Sequence, residues 1–235
     1  MAAQRLPGKP LLKINNLPII SHVVDRAKDS GVGEVVVCAE DKEIVSVVEK
    51  NGGKAILTGS HHKNGTERIY EGIQKLKKKG IDFVLSLQGD EPTVQPKDIV
   101  RLNNLMIENN AEIGTLAAEI KNESMMKNRN VVKVITKEKL NNYNFAKASN
   151  FLRIYESKEN LNIYHHIGIY CYKFSILEKF VALDRTENEI KNSLEQLRAL
   201  DNNININVAL ASTSPIGIDT NEDYLELKKI MEYKP

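Results

Sequence analysis

The chain alternates short β-branched runs with stretches in which apolar residues recur every three or four positions, a rhythm that predicts an α/β domain. Ile19, Ile20, Val23, Val24 and Ala27 fall on one face of a helix entered through Pro18. Proline suits a first turn, where its missing N–H would have had no intrahelical partner, and the helix should stop near Ser30-Gly31. Residues 34–38 read as a buried strand, Lys42 to Glu49 as a helix closed by Asn51-Gly52-Gly53, and Ala55 to Leu57 as a strand. Thr66 to Lys78 then reads as a helix with Thr66 placed to cap it, Phe83 to Leu87 as a strand, and Pro96 to Glu108 as a helix.

After Ile113 the rhythm changes. Gly114 to Ile120, Val131 to Thr136 and Ile163 to Tyr172 read as strands separated by polar segments rich in Asn, Lys and Glu. An antiparallel insertion at about 120–175 suits this spacing better than another βα unit. Residues 141–162 show no clear pattern. Glu187 to Leu200 predicts a helix, Ile204 to Ala211 a strand and Thr220 to Tyr233 a last helix, with Thr220 and Asp223 spaced as a capping box. The fold expected is Rossmann-like: a mostly parallel sheet flanked by helices, one domain over 1–235 with an inserted lobe.

Composition narrows the partners. The 235 residues carry 33 basic and 31 acidic side chains, a net of +2, with no basic face for nucleic acid or membrane. No apolar run approaches the ~18 residues of a spanning helix. Cys38 and Cys171 are too few and too far apart for a disulfide scaffold or cysteine-ligated zinc. The expectation is a soluble globular chain of cytoplasmic type.

Two acidic residues stand where chemistry is expected. Asp90 follows a buried strand, so its carboxylate should project at the carboxyl edge of the sheet, where open α/β sheets bind ligands. Asp219 closes another apolar stretch just before a helix. Converging there, the two carboxylates could hold Mg²⁺ among phosphate oxygens and water; in isolation they read rather as a turn residue and a helix cap. Arg5 and Lys9 flank Pro7-Gly8 in a short basic loop able to hold a triphosphate, or simply to stand in solvent. His61 and His62 read as solvated loop histidines rather than metal ligands. No Ser-His-Asp or Cys-His set is visible.

Several motifs together change the weighting: Arg5-Leu6-Pro7-Gly8-Lys9-Pro10-Leu11, Asn64-Gly65-Thr66-Glu67-Arg68, Leu87-Gln88-Gly89-Asp90-Glu91-Pro92, His166-Ile167-Gly168-Ile169-Tyr170, Leu194-Glu195-Gln196-Leu197-Arg198 and the run from Gly217 to Asp223. In order and spacing the chain resembles the 3-deoxy-manno-octulosonate cytidylyltransferases, also called CMP-KDO synthetases. The resemblance implies transfer of CMP from CTP to the anomeric hydroxyl of KDO, with release of pyrophosphate, for lipopolysaccharide synthesis. It implies Mg²⁺ on Asp90 and Asp219, with Lys9 joining them in catalysis, and CTP contacts from Arg5, Lys9, Asn64, Gly65 and Arg68. It also implies a sugar pocket of Gln88, Lys147, His166, Glu195 and Gln196, and a homodimer formed through the inserted lobe. On a strand His165 and His166 point to opposite faces, and the motif selects His166. On a helix Glu195 and Gln196 would share one edge.

Four departures stand out. The family's opening strand of the type Ile-Ile-Pro-Ala-Arg does not precede the loop, and Ala3 replaces its serine. Asn144-Phe145-Ala146-Lys147 replaces Tyr-Phe-Ser-Arg, which exchanges the fork of arginine for a point charge. Glu40 replaces aspartate. A late start is expected to account for the first departure and to impair folding or triphosphate binding. The alternatives are activation of another acidic sugar and a non-catalytic nucleotide-binding relative.

Overall fold

The structure, a computed structural model, describes residues 6–156, 161–218 and 220–233. It divides into two compact units: Met1–Lys79 with Leu87–Val100 and Pro215–Pro235, and Gly80–Ser86 with Arg101–Ser214.

The first unit opens with a single 3-10 turn at Lys9–Leu11, entered through Gly8, whose φ of 70° is one that glycine adopts without a Cβ clash. Next comes a hairpin of β1 (Lys13–Ile14) and β2 (Leu17–Pro18). Its two turn residues, Asn15 and Asn16, have φ of 50° and 63°, the twist that two-residue hairpins favour. Then follow α1 (Ile19–Ser30), β3 (Val37–Ala39), α2 (Lys42–Lys50), β4 (Ala55–Leu57) and α3 (Gly65–Leu76). Pro18 opens α1 and Gly31, at φ 65°, closes it, as the sequence predicts. At the far end of the chain, α9 (Asn221–Glu232) carries the full capping box of Thr220 and Asp223. Ile14, Ile19, Ile218 and Leu227 form a core cluster, with Leu12, Ile216, Tyr224 and Met231 packed on it. The Tyr224 hydroxyl donates to the Lys13 carbonyl at 2.7 Å and the Asn15 side chain donates to the Met231 carbonyl at 3.0 Å, so the hairpin is docked on α9.

The second unit holds a six-stranded sheet in the order β5 (Phe83–Ser86), β9 (Asn162–Lys173), β6 (Ile113–Ala118), β10 (Ile206–Leu210), β8 (Ala146–Leu152), β7 (Lys133–Thr136). A further β9–β7 pairing closes five of these strands into a ring of hydrogen-bonded neighbours. The helices are α5 (Glu123–Lys127), α6 (Phe174–Val181), α7 (Glu187–Asn192) and α8 (Leu197–Asp201), and α4 (Pro96–Glu108) contains the boundary between the units.

The α/β architecture is as expected, and three details differ. Among the described residues parallel pairing is confined to β3–β4 and β6–β10, and β9 runs antiparallel between β5 and β6. Among the described residues β3 pairs only with β4, and β5 only with β9. The helix expected over Glu187–Leu200 is broken: Ser193 takes φ 52°, its N–H closes on the Glu189 and Ile190 carbonyls, and residues 194–196 form a turn. A strand, β8, runs through the stretch that showed no pattern.

Candidate active site

In the first unit the Pro7-Gly8 turn delivers Lys9 to the interior. Lys9 is only 7% exposed, and its ammonium donates to the Asp90 carboxylate and to the Ile218 carbonyl. The Ile218 N–H donates to the Asp90 carbonyl at 3.3 Å and the Ile216 N–H to Thr93 Oγ1 at 2.9 Å, which ties the segment before position 219 to the segment around position 90. Asp90 lies in a turn beyond the end of β5 at Ser86, not directly on the strand as expected. Beside it, burial pushes the Glu91 carboxyl up to about 8; the Asp90 charge adds to the rise and Lys9 opposes it. Arg5 and Asp219 lie outside the described residues.

The donor atoms decide whether this cluster suits the Mg²⁺ that the resemblance implies. Asp90 offers carboxylate oxygens, Ile218 a backbone carbonyl already turned toward a cation, and Glu91 a buried Oε2 without a hydrogen-bond partner. All are hard oxygen donors, the set that Mg²⁺ takes, so the residues fit.

A second cluster in the same unit surrounds the start of α3. Asn64, not Thr66, caps this helix: its Oδ1 accepts the Glu67 N–H at 2.8 Å, and Thr66 is buried. The space where a Cβ would stand on Gly65 is open. Arg68 donates to Thr58 Oγ1 at 2.8 Å, to the Gly59 carbonyl at 3.0 Å and to Glu40 at 2.5 Å, so it clamps the loop after β4 to the end of β3. The Arg68 hydrogen bond holds the Glu40 carboxyl below its ordinary value. The larger Glu40 thus serves this contact where the family has aspartate. Gln88 is exposed.

In the second unit His166 is buried, and its ring lies 5.1 Å from that of Phe151 and 5.4 Å from that of Tyr170. Burial, with His165 adding, lowers its pKa to about 3, so the imidazole is neutral. Its tautomer follows from Thr115. The Thr115 hydroxyl stands 2.7 Å from the Ile169 carbonyl and 3.1 Å from that of Ile167, both pure acceptors, so its single proton goes to them. At 3.1 Å from His166 Nε2 the oxygen must then accept, which puts the ring proton on Nε2 and leaves Nδ1 as an acceptor. Thr115 sits where β6 and β9 slip register and satisfies carbonyls that the bulge unpairs. His165 turns the other way, to Ser214 Oγ at 2.8 Å, as strand alternation requires.

Glu195 and Gln196 occupy the turn between α7 and α8, not a helix edge, and Gln196 is buried. Burial raises the Tyr170 pKa, and the charges of Tyr172 and Glu195 raise it further, which places Tyr170 within reach of both His166 and Glu195. The turn is braced from behind. Arg198 Nε and Nη2 meet Glu189 Oε2 and Oε1 at 2.7 and 2.8 Å, with the Arg198 and Glu189 side chains 2% and 3% exposed. Lys147 departs from expectation: Ala146 and Ala148 point inward on β8, so Lys147 between them is exposed and reaches Asn205 Oδ1 at 3.2 Å.

The structure therefore groups Lys9 with Asp90, and Asn64 and Gly65 with Arg68, while His166 and Glu195 each neighbour Tyr170. Sequence reasoning passed over Tyr170, Glu91 and Thr115. The first two stand inside quoted motifs, and Thr115 is a lone hydroxyl in an apolar run.

The cytidylyltransferase family profile matches residues 1–206. This chain belongs to the cytidylyltransferase family. A 3-deoxy-manno-octulosonate cytidylyltransferase of Afipia carboxidovorans is 39% identical over 232 residues, 98% of this chain and 93% of that protein. The enzyme of that name from Thermodesulfovibrio yellowstonii is 43% identical over 231 residues, 93% of this chain and 90% of its own. Among solved structures, CMP:2-keto-3-deoxy-manno-octonic acid synthetase complexed with CTP matches with a TM-score of 0.86 and 32% identity, over 97% of this chain and 93% of that one. Apo UDP-glucose pyrophosphorylase, at 15% identity and a TM-score of 0.69, shares the fold. Among the described residues no helix is long and apolar enough to cross a membrane.

Proposed function

We propose that this cytidylyltransferase transfers CMP from CTP to the anomeric hydroxyl of KDO, releasing pyrophosphate. The observation that carries the reading is the near-complete match, at a TM-score of 0.86, to a CMP-KDO synthetase holding CTP. The buried Lys9 ammonium, already paired with a carboxylate, is positioned to meet triphosphate oxygens. Arg68 holds the loop that leads into the Asn64-Gly65 turn, where the pyrimidine nucleotide would bind. Asp90 and Asp219 would hold Mg²⁺, which supplies positive charge against the phosphates when bound. Neutral His166 can accept a sugar hydroxyl through Nδ1, and the buried Gln196 amide can pair with another. Charge neutralisation and positioning, without a covalent protein intermediate, suffice for this transfer.

The same resemblance supports a homodimer, a cytoplasmic location and a role in lipopolysaccharide synthesis. The test is pyrophosphate release from CTP with Mg²⁺ and a panel of acidic sugars. KDO should give turnover and sialic-type sugars little, and Asp90→Asn should lower kcat by about 100-fold or more, the scale of losing an electrostatic group. Turnover with a sialic-type sugar instead, or calorimetric CTP binding without turnover on any sugar, would reject the assignment.

A further inference from the structure

His61, His62 and Glu71 meet at the loop that Arg68 clamps, and the proposed reaction uses none of them. Contrary to the sequence reading, His62 is not solvated: its side chain is 10% exposed and its Nε2 bonds to Glu71 Oε2. One potential ligand atom from each of the three residues lies within 4.8 Å of the others. We propose that these three side chains form a binding site for a borderline-soft divalent cation of the Zn²⁺, Co²⁺ or Ni²⁺ class, with water completing the shell.

Three features of the loop support it. The rings of His61 and His62 pack with centroids 4.2 Å apart, so both imidazoles are presented from one side. A Cβ on Gly59 would overlap the His61 ring, and its N–H donates to Glu71 Oε2 at 2.9 Å. Glycine at position 59 thus admits His61 and orients the carboxylate at once. The other ring nitrogen of His62, Nδ1, lies 3.9 Å from Glu67 Oε2, too far for a hydrogen bond but near enough for the negative charge to favour a cation-bound imidazole.

Two imidazoles and one carboxylate select the cation class, because Mg²⁺ and Ca²⁺ prefer all-oxygen shells. With ligand bonds of about 2.0–2.2 Å, donor atoms in a tetrahedral site stand roughly 3.4 Å apart. The His62–Glu71 pair must therefore open while the exposed His61 swings in. Lys75, at 2.6 Å from Glu71 Oε1, occupies the other oxygen and leaves Oε2 to the cation.

The test is a Co²⁺ titration of the metal-stripped full chain in millimolar Mg²⁺, followed by visible absorption. One Co²⁺ per chain should give the d–d bands of a low-coordinate site, and Zn²⁺ should bleach them. His61→Ala, a change at an exposed position, should keep the melting temperature and weaken Co²⁺ binding at least about 10-fold, the loss that even an outer partner causes. Gly59→Ala should act in the same direction by displacing the ring. Absence of bands, or bands that His61→Ala leaves at wild-type affinity, would overturn the site. Nucleotidyl transfer enters neither readout, so the two readings fail separately.

Discussion

Replacing Arg198 by methionine tests the buried ion pair behind the Glu195-Gln196 turn. Arg198 and Glu189 are 1% and 2% exposed and joined by two hydrogen bonds, so the substitution strands a carboxylate in the interior. Breaking such a pair costs about 3–5 kcal/mol. Arg185, whose Nε stays 3.0 Å from Glu189 Oε1 and whose side chain is 39% exposed, should hold the loss near the lower end. The guanidinium also lies 4.8 Å from the Phe180 ring centroid, a contact worth about 0.5–2 kcal/mol. We expect a loss of about 3–5 kcal/mol in urea unfolding at pH 7, a large share of the ~5–15 kcal/mol of a typical domain.

Two controls separate lost charge pairing from lost packing. The Glu189→Leu/Arg198→Met double variant removes both charges and should return to within about 1 kcal/mol of wild type. Acid should shrink the single-variant defect. Burial alone would raise the Glu189 pKa, but hydrogen bonds and charge from Arg198 and Arg185 overcome it and leave the pKa lowered. Its stabilisation is thus present above the unfolded value of about 4.3 and lost as pH falls through the lower folded value. A single variant within 1 kcal/mol of wild type at pH 7, roughly the worth of an exposed pair, or a double variant no better than the single, would refute the reasoning.

Three further outcomes follow from the packing. Thr115→Val leaves the His166 Nε2–H and a bulge carbonyl without their partner, at about 1–3 kcal/mol for each buried group, whereas Thr115→Ser should stay near wild type; equal urea midpoints for Val and Ser would contradict the tautomer assignment. Gly72→Ala places a Cβ into Cys38 Sγ and should cost about 1–3 kcal/mol, with most of it recovered in the Cys38→Ala background, so additivity in the double-mutant cycle would disprove the contact. His166, at about 3 in the fold against about 6.5 in the unfolded chain, stabilises fully above that upper value and progressively less as pH falls toward the lower one. His166→Asn should flatten this limb by up to about 1.4 kcal/mol per pH unit, and an unchanged slope would show that the ring is charged in the native state.

Local signals survived the passage from sequence to structure, and non-local ones did not. Pro96 to Glu108 is helical with the predicted bounds, and Thr220 and Asp223 cap the last helix because a capping box involves only neighbours. β8 escaped notice because its inward positions include Ala146 and Ala148, too small to stand out against the polar residues between them. The β1–β2 hairpin is two residues long on each side, below the span in which alternation can be read. The break between α7 and α8 rests on Ser193 in a left-handed conformation that neither Gly nor Pro announces. At the site, motif spacing supplied Lys9, Asp90 and His166. The Lys9–Asp90 contact and the plug of Thr115 depend on segments 81 and 51 residues apart meeting in space. The exposure of Lys147 was not legible because a motif position does not tell which way a strand faces.

The hydrophobic quartet of the first unit joins residues 14 and 19 to residues 218 and 227. During synthesis Leu227 leaves the ribosome more than 200 residues after Ile14, so that core cannot be sealed until Leu227 has emerged. Until then, Ile14 and Ile19 must wait with apolar surface showing, a state open to aggregation and to chaperone capture. Lys9 and Ile218 are 209 residues apart, so their contact likewise waits for the far segment to be made.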